Sequence, residues 1–346
     1  MKYDSEIDSF VLGPDTSILE GLQKLNNQPH GQQFLMIADS DRNLLGTLTD
    51  GDVRRAILSG RLLDGTVADF MCKTPIFGSD DNSPSVIQQK LESVSSANPF
   101  LPIVDGYGRL VGVKINFDEN SVEFDALVLA GGFGRRLGQR TKNKPKPLLH
   151  ARGKPLLEHV LSNLEQTSVN NIFIAVHYLA DQIQNFVTDT NRDKTTKLIY
   201  EKTPLGTAGA IGLLPSLQKN NLIVTNSDIV TELNFESILN YHIQSNFDAT
   251  VAVATHKVSI PFGVVRFNET GRFDFVDEKP TITNYVAAGV YCLKPSIYEL
   301  VESSETIDMP YLLEKGKNLG LSVGVFPLHE EWLDVGRPED FESSNF

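Results

Sequence analysis

The sequence predicts an α/β fold in which a doubly wound sheet, covering residues 121–346, follows a smaller repeated module at residues 1–120. An apolar run that ends in closely spaced glycines begins the larger part at residues 126–134. Strand and helix patterns then alternate with short connections, which is typical of a doubly wound parallel sheet. Within the first 120 residues, an earlier and a later segment resemble each other, with Leu35 aligned to Leu101. This similarity indicates two copies of one unit.

Length and composition restrict the class of protein. A chain of 346 residues suggests two domains, because single cores usually stop growing below that size. No apolar run approaches the roughly 20 residues that span a bilayer, and no basic and apolar leader is visible, so we expect no membrane contact. The two cysteines lie far apart and are interpreted as reduced, which predicts a cytoplasmic protein. A net charge of -13 argues against nucleic acid as a partner.

The repeated module consists of two units, at about residues 9–66 and 75–118. Helical patterns at residues 17–25 and 83–91 align with each other, as do the apolar runs that follow them. Each unit therefore reads as helix, strand, turn, strand and helix. Units of this size are too small to be very stable alone, so we expect the two to pack against each other.

The repeat resembles a tandem pair of CBS domains (a Bateman module), and its best motif is GTLTDGDV at residues 46–53. The resemblance implies that Thr49 and Asp52 bind an adenine nucleotide. The alternative is that these two residues form a capping box for the next helix, and that the pair is a scaffold for a homo-oligomer. In the second unit Ile115 takes the place of Thr49 while Asp118 keeps that of Asp52, so one nucleotide site or none is expected.

A glycine turn and a cationic arm begin the larger part. Gly131, Gly132 and Gly134 follow an apolar strand, and such turns bring backbone N–H groups close to a polyphosphate. No acidic residue occurs between positions 126 and 157, whereas eight Lys and Arg residues do. A dinucleotide-binding turn or a plain tight turn is the alternative. A dinucleotide-binding turn would need glycines at other spacings and an acidic residue further along the chain. The segment is therefore interpreted as a nucleoside triphosphate site.

The letters GGFGRRL followed by PKPLL resemble the signature of the sugar-1-phosphate nucleotidyltransferases. The resemblance implies a Rossmann-like doubly wound mixed sheet of the GT-A-like kind. It makes Arg136 and Lys146 the cations that act on the triphosphate. It also predicts that Gly206 and Thr207, in the later segment PLGTAGA, bind the nucleotide, and Thr207 is additionally a candidate N-cap.

Two acids follow apolar strands further along the chain. Asp228 ends the run at residues 222–227 and Asp334 lies in the letters WLDVG. Each is by itself an ordinary turn or loop residue, Asp334 before a helix predicted at residues 338–341. The family resemblance makes both ligands of Mg²⁺, which prefers one or two carboxylates together with phosphate oxygens.

The sugar-phosphate contacts are expected between these acids. A hairpin pattern at residues 263–276 leads to the letters EKP, where the resemblance implies that Glu278 binds the sugar and Lys279 its phosphate. Gly289 lies in a strand that resembles the family's sugar-binding strand. Ala287 stands there in place of a usual asparagine, which leaves the identity of the sugar open.

The sequence as a whole predicts a Mg²⁺-dependent transfer of a nucleotidyl group from a nucleoside triphosphate to a sugar 1-phosphate. The joined architecture resembles guanylyltransferases of legionaminic acid pathways, so GTP and glucosamine 1-phosphate are the first choice. The alternatives are guanylyl transfer to mannose or heptose 1-phosphate, and transfer from UTP, CTP or dTTP. A hypothesis of a different class is a nucleotide-sensing regulatory protein that no longer turns over.

Overall fold

The computed structural model describes residues 7–28, 33–94, 99–115, 123–192, 195–215, 220–336 and 341. Their helices are α1 (Ile18–Asn26), α2 (Asp50–Leu58), α3 (Val67–Phe70), α4 (Pro84–Glu92), α5 (Leu156–Leu164), α6 (Ala180–Asp189), α7 (Gly206–Gly209), α8 (Phe235–Gln244), α9 (Pro295–Tyr298) and α10 (Met309–Asn318). Across the described ranges, no helix is both long enough and apolar enough to cross a bilayer.

The strands of the N-terminal module (residues 7–115) are β1 (Val11–Leu12), β2 (Phe34–Ala38), β3 (Leu44–Thr49), β4 (Gly78–Ser79), β5 (Phe100–Val104) and β6 (Leu110–Ile115). The strands of the C-terminal module (residues 123–341) are β7 (Phe124–Leu129), β8 (His150–Ala151), β9 (Lys154–Pro155), β10 (Val169–Val176), β11 (Thr196–Tyr200), β12 (Asn221–Asn226), β13 (Ile229–Thr231), β14 (Ala249–Ser259), β15 (Gly263–Phe267), β16 (Phe273–Glu278), β17 (Thr281–Leu293), β18 (Val323–Pro327) and β19 (Trp332–Asp334).

The N-terminal module contains the repeat that the sequence predicts. Its two sheets have the orders β1-β2-β3 and β4-β5-β6, each with a parallel first pair and an antiparallel second pair. The rings of Phe34 and Phe100, which begin equivalent strands, stack with their centres 3.9 Å apart, so the two units pack against each other. The last helix predicted for the second unit, with Asp118, and most of the predicted linker at residues 116–123 lie outside the described residues.

The C-terminal module is built on a seven-stranded sheet of order β11-β10-β7-β12-β17-β14-β18. The sheet is mixed, because β17 runs antiparallel to both of its neighbours while the remaining pairs are parallel. Apolar clusters cover both faces, one with side chains from α5, α6 and α8 and the other with side chains from α9 and α10. The doubly wound mixed sheet is thus confirmed, whereas the purely parallel sheet suggested by the strand and helix alternation is wrong.

The strands that carry the predicted motifs end at one edge of this sheet. β7 and β12 are adjacent and parallel, with Leu129 opposite Asn226. The Ser227 hydroxyl then donates to the main-chain oxygen of Leu129 (2.6 Å), which ties the two strand ends together. Ligands of open α/β sheets gather at such carboxyl ends, so the glycine turn and the first acid share the expected location.

Candidate active site

The glycine turn after β7 forms one wall of a cleft of about 670 Å³. Gly134 has φ +62°, and a Cβ there would lie 2.8 Å from Thr141 Cγ2 and 3.2 Å from Lys146 Cβ. Only glycine combines this backbone conformation with such close neighbours. The absence of a side chain at Gly134 therefore lets the chain that carries Lys146 pack directly against the turn.

Lys146 and Asp228 meet inside this cleft. Lys146 begins a short 3₁₀ turn, and its Nζ forms an ion pair with Asp228 Oδ2. The side chains are 14% and 19% exposed, so water screens this pair only in part. The cation of the PKP segment and the acid after β12 therefore belong to one site, as the sequence predicts for a shared phosphate and metal centre.

Asp334 is held next to Asp228 by a small two-stranded sheet. β13 starts directly after Asp228 and pairs with β19, so that Ile229 lies opposite Asp334. The Val335 N–H donates to the main-chain oxygen of Asp228 (3.2 Å). A Cβ on Gly336, which lines the cleft, would lie 3.0 Å from Asp334 Oδ1. The structure thus brings Asp334 onto the strand that pairs with the one following Asp228, and Asp228 itself lines the cleft.

These two acids fit a Mg²⁺ ion in number and in chemistry. Within the described residues, no group of three or more His, Cys, Asp and Glu side chains could hold a metal ion. Mg²⁺ is usually bound through one or two carboxylates, with substrate phosphates and water as the other ligands. The Asp228 carboxylate already faces a cation in this structure, because Lys146 is its partner. The donor set therefore suits a metal that arrives with a nucleotide.

All of the nucleotide contacts predicted in the C-terminal module line the same cleft, together with Asp228. The cleft is bordered by the following predicted residues: Gly131, Gly132, Gly134, Arg136, Lys146, Gly206, Thr207 and Asp228. Gly206 has φ +82°, and a Cβ there would lie 2.6 Å from the main-chain oxygen of Ile307, so a larger residue would not fit. Segments that are far apart in the sequence thus form one continuous wall.

The predicted N-cap at Thr207 is wrong in its position. The short helix α7 begins at Gly206, with Leu205 as its N-cap residue. The Thr207 hydroxyl instead accepts a hydrogen bond from the Met309 N–H (2.8 Å), and it donates to Asp308 (3.2 Å). Thr207 therefore satisfies a free N–H group at the start of α10, because the loop before α10 packs on α7 in the folded chain.

The predicted sugar contacts are not all assembled. Glu278 ends β16 and Lys279 follows it, on a hairpin whose side chains are largely exposed. Neither residue lines the cleft. Gly289 approaches it indirectly, because a Cβ there would lie 2.6 Å from Nδ2 of Asn226, which does line the cleft. Ala287, at the position of the usual asparagine, is exposed on β17.

Glu201 and Asn226 are among the polar residues that line the cleft without having been assigned to it from the sequence. Glu201 follows β11 directly, and a Cβ on Gly131 would lie 3.1 Å from its Oε2. Burial raises the pKa of the Glu201 carboxyl above its ordinary value, although the Leu205 N–H donates to it. Asn226 is the last residue of β12. Their positions at strand ends, the same signal that marked Asp228, could have identified both.

Thr49 and Asp52 form the capping box that was the structural alternative to nucleotide binding. Thr49 is the N-cap of α2, and its Oγ1 accepts from the Asp52 N–H (3.2 Å) while Asp52 Oδ2 accepts from the Thr49 N–H (2.9 Å). Both residues also line a cavity of about 410 Å³, here named the inter-module cavity. Its other walls include Phe34, Phe100 and, from α8 of the C-terminal module, Ser237, Asn240, Tyr241 and Gln244.

A glycine turn, a cation and an acid at the carboxyl edge of a mixed sheet, with a second acid on a neighbouring strand, are typical of nucleotide-handling α/β proteins. The family model described as nucleotidyl transferase matches residues 125–345. The chain belongs to this family, and a CBS domain model matches residues 5–59, the first of the two repeated units.

Individual relatives agree with this family. The chain is 30% identical over 228 residues to mannose-1-phosphate guanyltransferase beta-B of Xenopus laevis. It is 33% identical over 230 residues to a protein of Oryza sativa subsp. japonica described as mannose-1-phosphate guanylyltransferase 2. Each alignment covers 62% of this chain and 62% of the relative, so the chain spans less than two thirds of these proteins.

The fold also has a solved counterpart. A Bacillus anthracis protein described as a glucose-1-phosphate thymidylyltransferase superposes with a TM-score of 0.51 at 18% identity. The superposition covers 64% of this chain and 94% of that protein. The likeness concerns the fold alone.

Proposed function

We propose that this chain transfers a nucleotidyl group from a nucleoside triphosphate to a sugar 1-phosphate and releases pyrophosphate. One observation carries the proposal: Lys146 and Asp228 form an ion pair in the cleft beside the glycine turn, and the β13–β19 pairing places Asp334 opposite Ile229, the residue after Asp228, although the sequence separates the three widely. A cation and two acids next to backbone N–H groups are the groups that phosphoryl transfer uses, since it depends on positioning and charge neutralisation.

Each residue has a part in the proposed reaction. The sugar-phosphate oxygen attacks the α-phosphorus in line, and the bond to pyrophosphate breaks. The N–H groups of residues 131–134, with Arg136 and Lys146, bind the triphosphate and the leaving pyrophosphate. No general base is needed, because a phosphate monoester is already ionised near neutral pH.

Asp228 and Asp334 would hold Mg²⁺, which supplies charge neutralisation between the phosphates when it is bound. Glu278 and Lys279 stay the predicted contacts of the sugar phosphate. Because both lie outside the cleft in this structure, their proposed role requires the β15–β16 hairpin to move toward it.

GTP and mannose 1-phosphate are the substrates that we propose first. The names of the two curated relatives support guanylyl transfer to mannose 1-phosphate better than transfer to glucosamine 1-phosphate, the first choice from the sequence. Glucosamine 1-phosphate and heptose 1-phosphate are the competing acceptors, and UTP, CTP and dTTP the competing donors. The exposed Ala287 offers no amide to select among the sugars.

A pyrophosphate-release assay on the purified full chain tests the proposal. Each of GTP, UTP, CTP and dTTP is paired with each sugar 1-phosphate, and the nucleotide sugar is identified by mass spectrometry. We expect the highest kcat/KM for GTP with mannose 1-phosphate. If no pair exceeds the Asp228→Ala variant, the transfer proposal fails, and the alternative of an inactive nucleotide-sensing protein is favoured.

We further propose that the inter-module cavity binds one adenine nucleotide per chain, with Thr49 and Asp52 among its contacts. The cavity is lined by both repeated units of the N-terminal module and by α8 of the C-terminal module. Its walls are partly apolar and partly polar, which suits a base and a ribose phosphate. We also propose that the chain divides into two domains, residues 1–120 and 121–346. The N-terminal pair of units is proposed to form a homo-oligomer. A cytoplasmic location stays a prediction from the sequence.

A further inference from the structure

Arg54 of α2 is fully buried between the two modules. Its Nε donates to Asp50 Oδ2 (2.7 Å), within the same helix. Its two terminal nitrogens cross to the C-terminal module, where Nη1 donates to the main-chain oxygen of Pro327 (2.6 Å) and Nη2 to Glu330 Oε1 (2.7 Å). One side chain therefore joins the N-terminal helix to the connection between β18 and β19.

The surroundings make this contact costly to break. The side chains of Glu330 and Asp50 are 6% and 11% exposed, and His329 Nε2 donates to Asp50 Oδ1 (3.0 Å). The guanidinium carbon lies 3.7 Å from the centre of the Phe326 ring. Burial disfavours the charged form of Glu330, but Arg54 outweighs this effect and lowers the pKa of that carboxyl. Without Arg54 two buried carboxylates would lose their main cation, which strongly disfavours the present arrangement.

The anchored connection leads directly to the second predicted metal ligand. Glu330 precedes Asp334 by four residues, and β19 begins at Trp332. Between them the main-chain oxygen of Glu331 accepts from the Thr231 hydroxyl (2.8 Å), and the Trp332 indole N–H donates to the Ala288 oxygen (2.9 Å). Because this segment is so short, we expect a displacement of Glu330 to shift β19 relative to β13.

We propose that Arg54 is a positioning residue for the metal centre, because it fixes the β18–β19 connection and through it the place of Asp334 beside Asp228. This inference rests on the proposed function, in which Asp334 is a metal ligand. It assigns part of the active-site geometry to a residue of the N-terminal module. Asp50, which accepts from Arg54, also lines the inter-module cavity. Arg54 is therefore linked both to this cavity and to the connection that leads to Asp334.

The variants Arg54→Lys and Glu330→Gln test this proposal. Lysine keeps the charge but cannot bond Asp50, Pro327 and Glu330 together, since it lacks the planar fork of arginine. Glu330→Gln keeps the shape and removes one charge. The matched control is Arg109→Lys, because Arg109 also bonds an aspartate four residues earlier through Nε (2.9 Å), but its side chain is half exposed and Arg109 is not among the described residues that line the cleft.

Three measurements separate positioning from mere stability. We expect the Kd for Mn²⁺ in the presence of a non-hydrolysable GTP analogue, measured by electron paramagnetic resonance, to rise at least fivefold in Arg54→Lys and Glu330→Gln. We expect kcat to fall at least tenfold while KM for GTP changes less than threefold, because the triphosphate contacts are untouched. The single tryptophan of the chain, Trp332, should become more accessible to acrylamide quenching.

All measurements are made at a temperature where circular dichroism shows each variant folded. Wild-type Mn²⁺ affinity and wild-type Trp332 quenching in a folded Arg54→Lys or Glu330→Gln variant would overturn the inference, as would equal changes in Arg109→Lys. A wild-type chain that binds Mn²⁺ with the analogue but transfers no nucleotide would refute the proposed function instead. The metal affinities of the variants would then still decide the role of Arg54.

Discussion

Lys146 and Asp228, 82 residues apart in the sequence, form an ion pair at the cleft beside the glycine turn. The pair gives the cationic arm a counter-ion that its own sequence neighbourhood lacks. It also holds the carboxylate and the ammonium where a metal–triphosphate complex is proposed to bind, so substrate binding must replace this pair with contacts to phosphate and metal. The consequences of that exchange can be measured.

Replacing Lys146 or Arg136 by alanine should lower kcat by about a hundredfold, because one preorganised charge at a transition state contributes about 3 kcal/mol. Lys144→Ala is the matched control, since Lys144 is exposed and is not among the residues that line the cleft. The measurement is pyrophosphate release at saturating Mg²⁺, with circular dichroism to confirm folding. A rate above half of wild type in Lys146→Ala or Arg136→Ala would remove that residue from the proposed site.

Asparagine at Asp228 or Asp334 should raise the Mg²⁺ concentration for half-maximal rate and lower the rate itself. Each substitution keeps the shape but removes one of the two charges that would hold the ion. The Mg²⁺ titration of activity is compared with that of Asp274→Asn, which changes an exposed acid on the β15–β16 hairpin. Wild-type half-saturation and rate in either test variant would mean that its aspartate is only a turn residue.

Adenine nucleotide should bind with a stoichiometry of one per chain, because Ile115 replaces Thr49 in the second unit. Asp52→Ala should weaken binding at least tenfold in isothermal titration calorimetry. The variant also removes a helix cap, which typically costs about 1 kcal/mol. Asp69→Ala controls for that effect, since Thr66 and Asp69 form a similar capping box outside the inter-module cavity. Two equivalent sites, or equal binding by Asp52→Ala, would contradict this prediction.

Acid should destabilise the C-terminal module through His242. Its side chain is fully buried on α8, and Nδ1 shares a hydrogen bond with the Thr250 hydroxyl (2.8 Å). Burial, with a contribution from Lys294, lowers the pKa of His242 to about 4, and Asp248 opposes this only in part. The unfolded chain has the ordinary pKa near 6.5 and binds more protons below it, so stability falls as the pH drops from about 6.5 toward 4.

The loss of unfolding free energy that His242 causes should be about 2 kcal/mol between pH 7 and pH 5. It should be absent in His242→Leu and retained in His150→Leu, which replaces an exposed histidine. Urea unfolding at the two pH values, followed by Trp332 fluorescence, gives the free energies. An equal loss of stability in wild type and His242→Leu would show that other groups cause the acid sensitivity.

The sequence by itself determined the features that depend on neighbouring residues. The apolar run and the glycines at residues 126–134 predict a buried strand and a turn, because glycine adopts the left-handed backbone of Gly134 without strain. Ser17 and Glu20 form the capping box that starts α1, and the helical patterns at residues 17–25 and 83–91 lie within one residue of the observed bounds of α1 and α4. The position of Asp228 directly after an apolar strand likewise identified it as a candidate site residue.

Only the tertiary structure decided which distant residues meet. β17 enters the sheet antiparallel, and Thr207 serves α10 rather than its own helix. The β13–β19 pairing brings Asp334 close to Asp228. The hydrogen bond from the buried Arg54 to Glu330 joins the two modules. These contacts depend on the packing of separate segments, whose geometry no local periodicity encodes. The same packing leaves Glu278 and Lys279 on an exposed hairpin, where a motif in the sequence predicted a sugar-phosphate site.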